Sequence, residues 1–259
     1  MSRPVIWIAR RLSDATLARA ERDYDIIVNH DDIPYNSDDI IAMSGQVDGM
    51  IACHSEHFSK AIVDALDSRL KIVANYSVGT DHCDLPAFAA RGIAVTNTPD
   101  VLSDATAEIS LLLMLGAARR AVEGDRMVRT GAWDFWSPSF MVGKQVTGQR
   151  LGIVGMGRVG QAMARNARGL GMDLHYYNRN PLPDDLAEGA TYHDSLESLL
   201  PLSDFLSLHC PATPQTRGMM SAEKFAMLPD GAVFVNVARG ALVDEPALMA
   251  ALDSGKLSA

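Results

Sequence analysis

The sequence predicts an α/β protein made of two Rossmann-like units, each a doubly wound parallel sheet. Three observations predict it. Short apolar runs of strand length alternate with amphipathic stretches of helix length from end to end, the pattern of parallel sheets covered on both faces. The glycines of "LGIVGMGRVGQAMARNARGLG" fall between one such run and one such stretch. The alternation also starts afresh near residue 98, separating a first unit, 1–98, from a second, 99–259, with no low-complexity linker.

In the first unit, strands are expected at Val5–Ile8, Asp25–Val28, Gly49–Cys53, Lys71–Asn75 and Ile93–Thr96. Between them lie helical stretches such as "SDATLARAERD" and "SKAIVDALDS", each opened by a serine suited to cap the first turn. The second unit begins with one long helix, residues 103–129. Its middle, "EISLLLMLGAA", is apolar nearly all round and is expected to be buried. Strand Leu151–Val154, a helix to about Leu170, strand Asp173–Tyr177 and a helix near Ser195–Leu200 follow. Strand Phe205–Leu208, a helix opened by Ser221, strand Ala232–Val237 and a helix capped by Asp244 complete the series, with Gly255 at the last stop.

The 259 residues are 47% hydrophobic and 21% charged, with a net charge of −9. That balance argues against a nucleic-acid or anionic-membrane surface. Cys53, Cys83 and Cys210 form no CxxC pair, so neither a disulfide framework nor a metal site is expected, and a reducing compartment is. The apolar run near the N-terminus is only five residues long, too short for a signal-peptide core. The longest apolar run, residues 109–118, falls short of a membrane span. A soluble, cytoplasmic protein is the expectation.

Gly155, Gly157 and Gly160 form G-x-G-x-x-G, with Met156, Arg158 and Val159 between them. The first glycine permits a tight turn, the second lets the backbone approach a pyrophosphate, and the third lets helix and sheet pack closely. A helix N-terminus then faces the phosphates. The next strand ends in Asn178 and Arg179, where an NAD enzyme usually carries an acid for the ribose 2′-hydroxyl. A neutral amide beside a guanidinium accepts a 2′-phosphate instead, which favours NADP(H) over NAD(H). The alternative is a solvated arginine, with Asp184 or Asp185 serving the ribose.

Arg239 follows the strand of "GAVFVNVARGALVDE", at the strand end where open α/β sheets bind ligands. An arginine there grips the carboxylate of a 2-oxo acid and polarises its carbonyl. Pairing with Asp244 or Glu245 is an equal alternative from spacing alone. Carbonyl reduction also needs a proton donor. His82 and His209 both sit in loops after strands, but each reads more readily as a structural histidine. The loop "ACHSEHFS" is expected to line the pocket, with Ser55 as a selectivity residue.

The segments "ANYSVGTDHCDL", "GIAVTNTPDVLSDATAEISLLLML", "LGIVGMGRVGQAMA", "LHCPATPQTRGMM" and "VFVNVARGALVDEPAL" occur in this order. In this the whole chain resembles the D-isomer-specific 2-hydroxyacid dehydrogenases, most closely the glyoxylate/hydroxypyruvate reductase branch. The resemblance implies an active site in the cleft between the two units, with NADPH-dependent reduction of glyoxylate or hydroxypyruvate. It implies that the Val78 and Gly79 backbone binds the substrate carboxylate and that Arg239 is catalytic. Thr106, the Gly155–Gly160 loop, Asn178, Arg179, His209, Cys210, Pro211, Thr216, Val237, Ala238 and Arg239 match cofactor-contacting positions. "GAWDFWSP" resembles the arm by which family dimers embrace, with Trp136 reaching the neighbouring active site. Family members continue past "GKLSA" into segments carrying an Asp, a Glu and the catalytic His, which nothing in this sequence matches. A fragment of a longer chain is the expectation. The runner-up is a dinucleotide-sensing binding protein of the co-repressor type.

Overall fold

The computed structural model describes residues 3–258. Contacts divide the chain after Val101 into two compact units. The first contains β1 (Val5–Ile8), α1 (Asp14–Asp23), β2 (Asp25–Val28), α2 (Ser37–Ser44) and β3 (Gly49–Ala52). These are followed by α3 (Lys60–Ala65), β4 (Ile72–Asn75), α4 (Leu85–Ala90) and β5 (Ala94–Thr96). Its strands are all parallel, in the order β2-β1-β3-β4-β5, the flavodoxin-like winding. Trp7, Met50, Phe58, Val73 and Phe88 fill its core. Ser13 caps α1 by accepting the Thr16 N–H, whereas Ser59 makes no side-chain cap bond. Helices α2 and α4 lie outside the elements expected from sequence. A reciprocal capping box between Asn36 and Asp39 opens α2, and Asp84 caps α4 through the Ala87 N–H.

The second unit runs α5 (Ser103–Ala118), α6 (Ala121–Thr130), β6 (Arg150–Val154), α7 (Arg158–Gly169), β7 (Asp173–Tyr177), α8 (Asp184–Ala187) and β8 (Thr191–His193). It continues with α9 (Leu196–Leu199), β9 (Phe205–Leu208), α10 (Ala222–Met227), β10 (Ala232–Asn236), α11 (Glu245–Asp253) and β11 (Leu257–Ser258). The parallel order β11-β10-β9-β6-β7-β8 is the dinucleotide-fold winding, with its reversal between β6 and β9. Asp244 caps α11, and Gly255 follows that helix with a positive φ, as expected. The outer strands β8 and β11 are too short to stand out as apolar runs.

Two expectations for residues 103–129 are corrected. The single long helix is broken at Arg119–Arg120, because the Ala118 carbonyl receives the Lys144 N–H and Arg120 adopts left-handed backbone geometry. Nor is its apolar middle buried all round. Ala107, Ser110, Met114 and Ala118 turn inward, whereas Ile109, Leu112 and Leu113 are 51%, 63% and 49% exposed. One helix can bury only the face that meets α7 and β10; the opposite face finds no full cover among the described residues.

The edge of the second sheet where β6, β9 and β10 begin is locked by charge. Arg150 donates through Nε and Nη2 to both carboxylate oxygens of Asp204, at 2.8 and 3.0 Å, and its backbone N–H adds a third bond. Lys144 Nζ donates to the carbonyls of Asp204 and Gly231. The Arg150 guanidinium holds the Asp204 carboxyl below its ordinary range. Asp204→Ala is therefore expected to lower stability by about 1.5–3 kcal/mol at neutral pH, read by urea denaturation. A lowered folded-state pKa stabilises above the unfolded value of about 3.9, so the gap between variant and wild type should persist to that pH. It should then close as pH falls through the lower folded value.

Candidate functional site

The carboxyl ends of β6, β7, β9 and β10 carry the loops that the sequence singles out. Gly155 leaves β6 with φ +94°, and a Cβ built on it would lie 2.6 Å from the Cys210 backbone nitrogen. A Cβ at Gly160 would collide with the Gly155 carbonyl oxygen. At Gly157 nothing lies within 4 Å of a built Cβ. The three glycines thus divide as the fingerprint requires: two are forced by close packing, and one keeps open the space where a side chain would stand. Gly157 is also the N-cap of the twelve-residue α7, whose first N–H groups have no intrahelical acceptor. An open cradle on a helix N-terminus fits a dinucleotide pyrophosphate.

The neighbouring loops are tied to this turn. Asn178 Oδ1 accepts the Met156 N–H at 2.8 Å, so the amide oxygen braces the glycine loop and its NH2 group is left to donate outward. Arg179 is exposed and has no ion-pair or hydrogen-bond partner among the described residues. The His209 N–H donates to the Val154 carbonyl at 2.8 Å. Thr216 Oγ1 donates to the Pro211 carbonyl and accepts the Thr213 N–H, each at 2.8 Å, which closes the 211–216 turn. Thr106 spends its hydroxyl hydrogen on the Leu102 carbonyl in the first turn of α5.

Past β10, Asn236 clamps the bend at Val237–Arg239: its Oδ1 accepts the Ala238 N–H and its Nδ2 donates to the Arg239 carbonyl. Arg239 is half-buried, with Nη1 on the Ala238 carbonyl at 3.0 Å. The Gly218 N–H donates to the Ala241 carbonyl and joins this bend to the loop after β9.

His209 cannot serve as a charged acid near neutral pH, because burial pushes its imidazole down to about 4. Its ring meets Ser207 Oγ at 2.9 Å, and Ser207 meets Ser110 of α5 at 2.9 Å. His209 Nδ1 is buried with no hydrogen-bond partner among the described residues. A buried polar atom left open beside the glycine turn also fits a bound ligand there. Ser110 and Ser207 are not among the residues expected from sequence, because two serines 97 positions apart carry no local signal.

In the first unit, the Val78 and Gly79 carbonyls accept from Asn97 and Asn75, each at 2.9 Å. Their N–H groups have no acceptor among the described residues, which suits an anionic oxygen. Ser55 is exposed and donates its hydroxyl to Glu56 at 2.7 Å. The fully buried Glu56 also accepts the Cys53 N–H; a single acid in a polar loop gave no warning of this role. Burial pushes Cys53 and Cys83 up to about 11, so neither thiol is reactive near neutral pH. Trp136 lies on a loop after α6 and is 72% exposed, beside the exposed Trp133 and Phe135.

The family model for the NAD-binding domain of D-isomer specific 2-hydroxyacid dehydrogenases matches residues 111–259. Glycerate dehydrogenase of Hyphomicrobium methylovorum is 43% identical over 260 residues, covering 100% of this chain and 81% of its own length. Glyoxylate reductase of Thermococcus kodakarensis is 39% identical over 257 residues, covering 98% of this chain and 77% of its own. Among solved structures, a glyoxylate reductase from Paecilomyes thermophila superposes with a TM-score of 0.86 at 31% identity, covering 99% and 80% of the two chains. No helix of the described residues is long and apolar enough to cross a membrane.

The glycine geometry separates binding from folding. Gly157→Val should fold with wild-type stability but lose at least about tenfold in dinucleotide affinity, equivalent to 1.4 kcal/mol. Gly155→Ala should destabilise the fold itself. Thermal melting with and without cofactor distinguishes the two.

Proposed function

Within the D-isomer-specific 2-hydroxyacid dehydrogenase family, to which this chain belongs, we propose that the protein reduces a small 2-oxo acid with NADPH. Glyoxylate and hydroxypyruvate are the substrates. The observation that carries the reading is the open cradle at Gly157 on the N-terminus of α7. The names of the relatives support these two substrates, since glycerate is the 2-hydroxy acid of hydroxypyruvate.

A nicotinamide dinucleotide, when bound, supplies the hydride. The first unit is the substrate domain and the second the dinucleotide domain. The α7 N-terminus and the 155–160 loop hold the pyrophosphate. Arg179 binds the 2′-phosphate, and the Asn178 NH2 group adds a donor; that Arg179 has no partner among the described residues supports this. Thr106, the 209–211 turn, Thr216 and the 237–239 bend border the cofactor. The Val78 and Gly79 amides hold the substrate carboxylate, and Arg239 grips it and polarises the carbonyl. Neutral, buried His209 takes no part in proton delivery.

The assembly is a homodimer. Its support is the exposure of Ile109, Leu112 and Leu113 on α5 and of Trp133, Phe135 and Trp136 on the loop after α6, since exposed apolar side chains of this kind commonly mark a protein–protein surface. Trp136 reaches the neighbouring subunit's site.

Following NADPH oxidation at 340 nm (the reduced nicotinamide band) tests the activity. Turnover with glyoxylate or hydroxypyruvate is expected, and Arg239→Lys should lower kcat/KM by about 10²–10³-fold. Tight NADPH binding without oxidation by any small 2-oxo acid would favour a dinucleotide sensor. Separately, Arg179→Ala should cut the ratio of NADPH to NADH affinity by about 10–100-fold through loss of charge-assisted bonds; an unchanged ratio removes Arg179 from the phosphate site.

A further inference from the structure

The loops after β3 and β4 bring together His54, Asp81 and His82, three residues with no part in the proposed reduction. Parallel pairing sets Ala52 opposite Asn75 at the ends of those strands. Beyond them, the Phe58 N–H donates to the His82 carbonyl at 2.7 Å and the Asp84 N–H to the Phe58 carbonyl at 2.8 Å, so the two loops run side by side. One potential ligand atom from each of the three residues lies within 4.8 Å of the others. His54 Nε2 and Asp81 Oδ2 are 3.5 Å apart. The His54 and His82 ring centroids are 5.0 Å apart. A cavity of about 350 Å³, lined in part by His57, Asp81 and His82, opens beside them.

The tautomer of His82 is set by its neighbour. Asn75 Nδ2 donates to the Ser77 and Gly79 carbonyls, so Asn75 Oδ1 faces His82 Nε2 as an acceptor at 3.0 Å. The proton of His82 therefore sits on Nε2, and Nδ1 carries the lone pair. Metal-binding imidazoles are held in the same way, with one nitrogen donated to an outer partner and the other left to coordinate.

We propose that His54, Asp81 and His82 form a binding site for a divalent transition metal of the zinc class. Two imidazoles and one carboxylate suit Zn²⁺ and its neighbours, and three protein ligands leave a position for water. Ligand atoms around a tetrahedral ion stand about 3.4 Å apart, and the His54–Asp81 pair already has nearly that spacing. The His54 and Asp81 side chains both reach solvent, whereas His82 is buried. Asp81 and His82 lie just beyond Gly79, so a bound ion also stiffens the loop to which the carboxylate amides are assigned; that consequence alone rests on the reductase reading.

The test is titration of the chelator-treated protein with Co²⁺, read by its visible ligand-field absorption, with Zn²⁺ as competitor. One saturable equivalent, displaced by Zn²⁺, is expected. His54→Ala and Asp81→Asn should each weaken it by at least about tenfold, while His30→Ala leaves it intact. Both cluster variants change exposed side chains, so folding is preserved even if a His82 variant fails to fold. Absence of saturable binding, or wild-type affinity in both cluster variants, overturns the proposal. The signal needs no turnover, so its failure leaves the reductase reading untouched.

Discussion

The backbone of Gly155 presses against that of His209 and Cys210, and this contact organises the second unit. It occurs where the strand order reverses, between β6 and β9. Only a residue without a Cβ leaves β6 at this turn, and the Gly155 N–H is anchored on the Tyr177 carbonyl of β7. The start of α7 is thereby aimed across the sheet's carboxyl edge. Asn178 then braces the loop from the β7 side, while the Val154 carbonyl holds His209 on the β9 side. Three strands thus fix one turn, and a phosphate-binding surface needs that rigidity because its donors are backbone groups.

Burial and charge are distributed unevenly around that turn. The chain carries a net charge of −9, yet the residues assigned to anions are two arginines and a set of backbone amides. Such local donors act over short distances, where the overall negative field is screened by salt. The imidazole closest to the glycine turn in the chain of bonds is kept neutral by desolvation. The hydroxyls of Ser110 and Ser207 carry its orientation back into α5 without adding charge.

Local chemistry made most of this legible in the sequence. Strands such as Val5–Ile8 and Phe205–Leu208 stand where their apolar runs put them, because a strand inside a parallel sheet is covered on both faces. The glycine spacing is legible because each position has its own steric demand. Hydropathy misjudged α5, since Leu112 and Leu113 read the same whether a core or another surface covers them. The break at Arg120 was hidden because it depends on Lys144, twenty-four positions away in the chain. The His54, Asp81 and His82 cluster was invisible for a related reason: its members meet through the register of β3 on β4, and no spacing within a single segment announces them.

Strand β6 has two ends with different duties. Arg150 at its start belongs to the charge lock on Asp204, and Gly155 just past its finish belongs to the ligand turn. About 16 Å of extended chain separates them, beyond the 7–10 Å over which substitutions commonly couple. A lineage can therefore vary the ligand edge, accept some loss of stability there, and recover it at the opposite edge without altering chemistry. For an engineer the same separation makes the Lys144–Arg150–Asp204 corner the place to strengthen before pocket residues are changed.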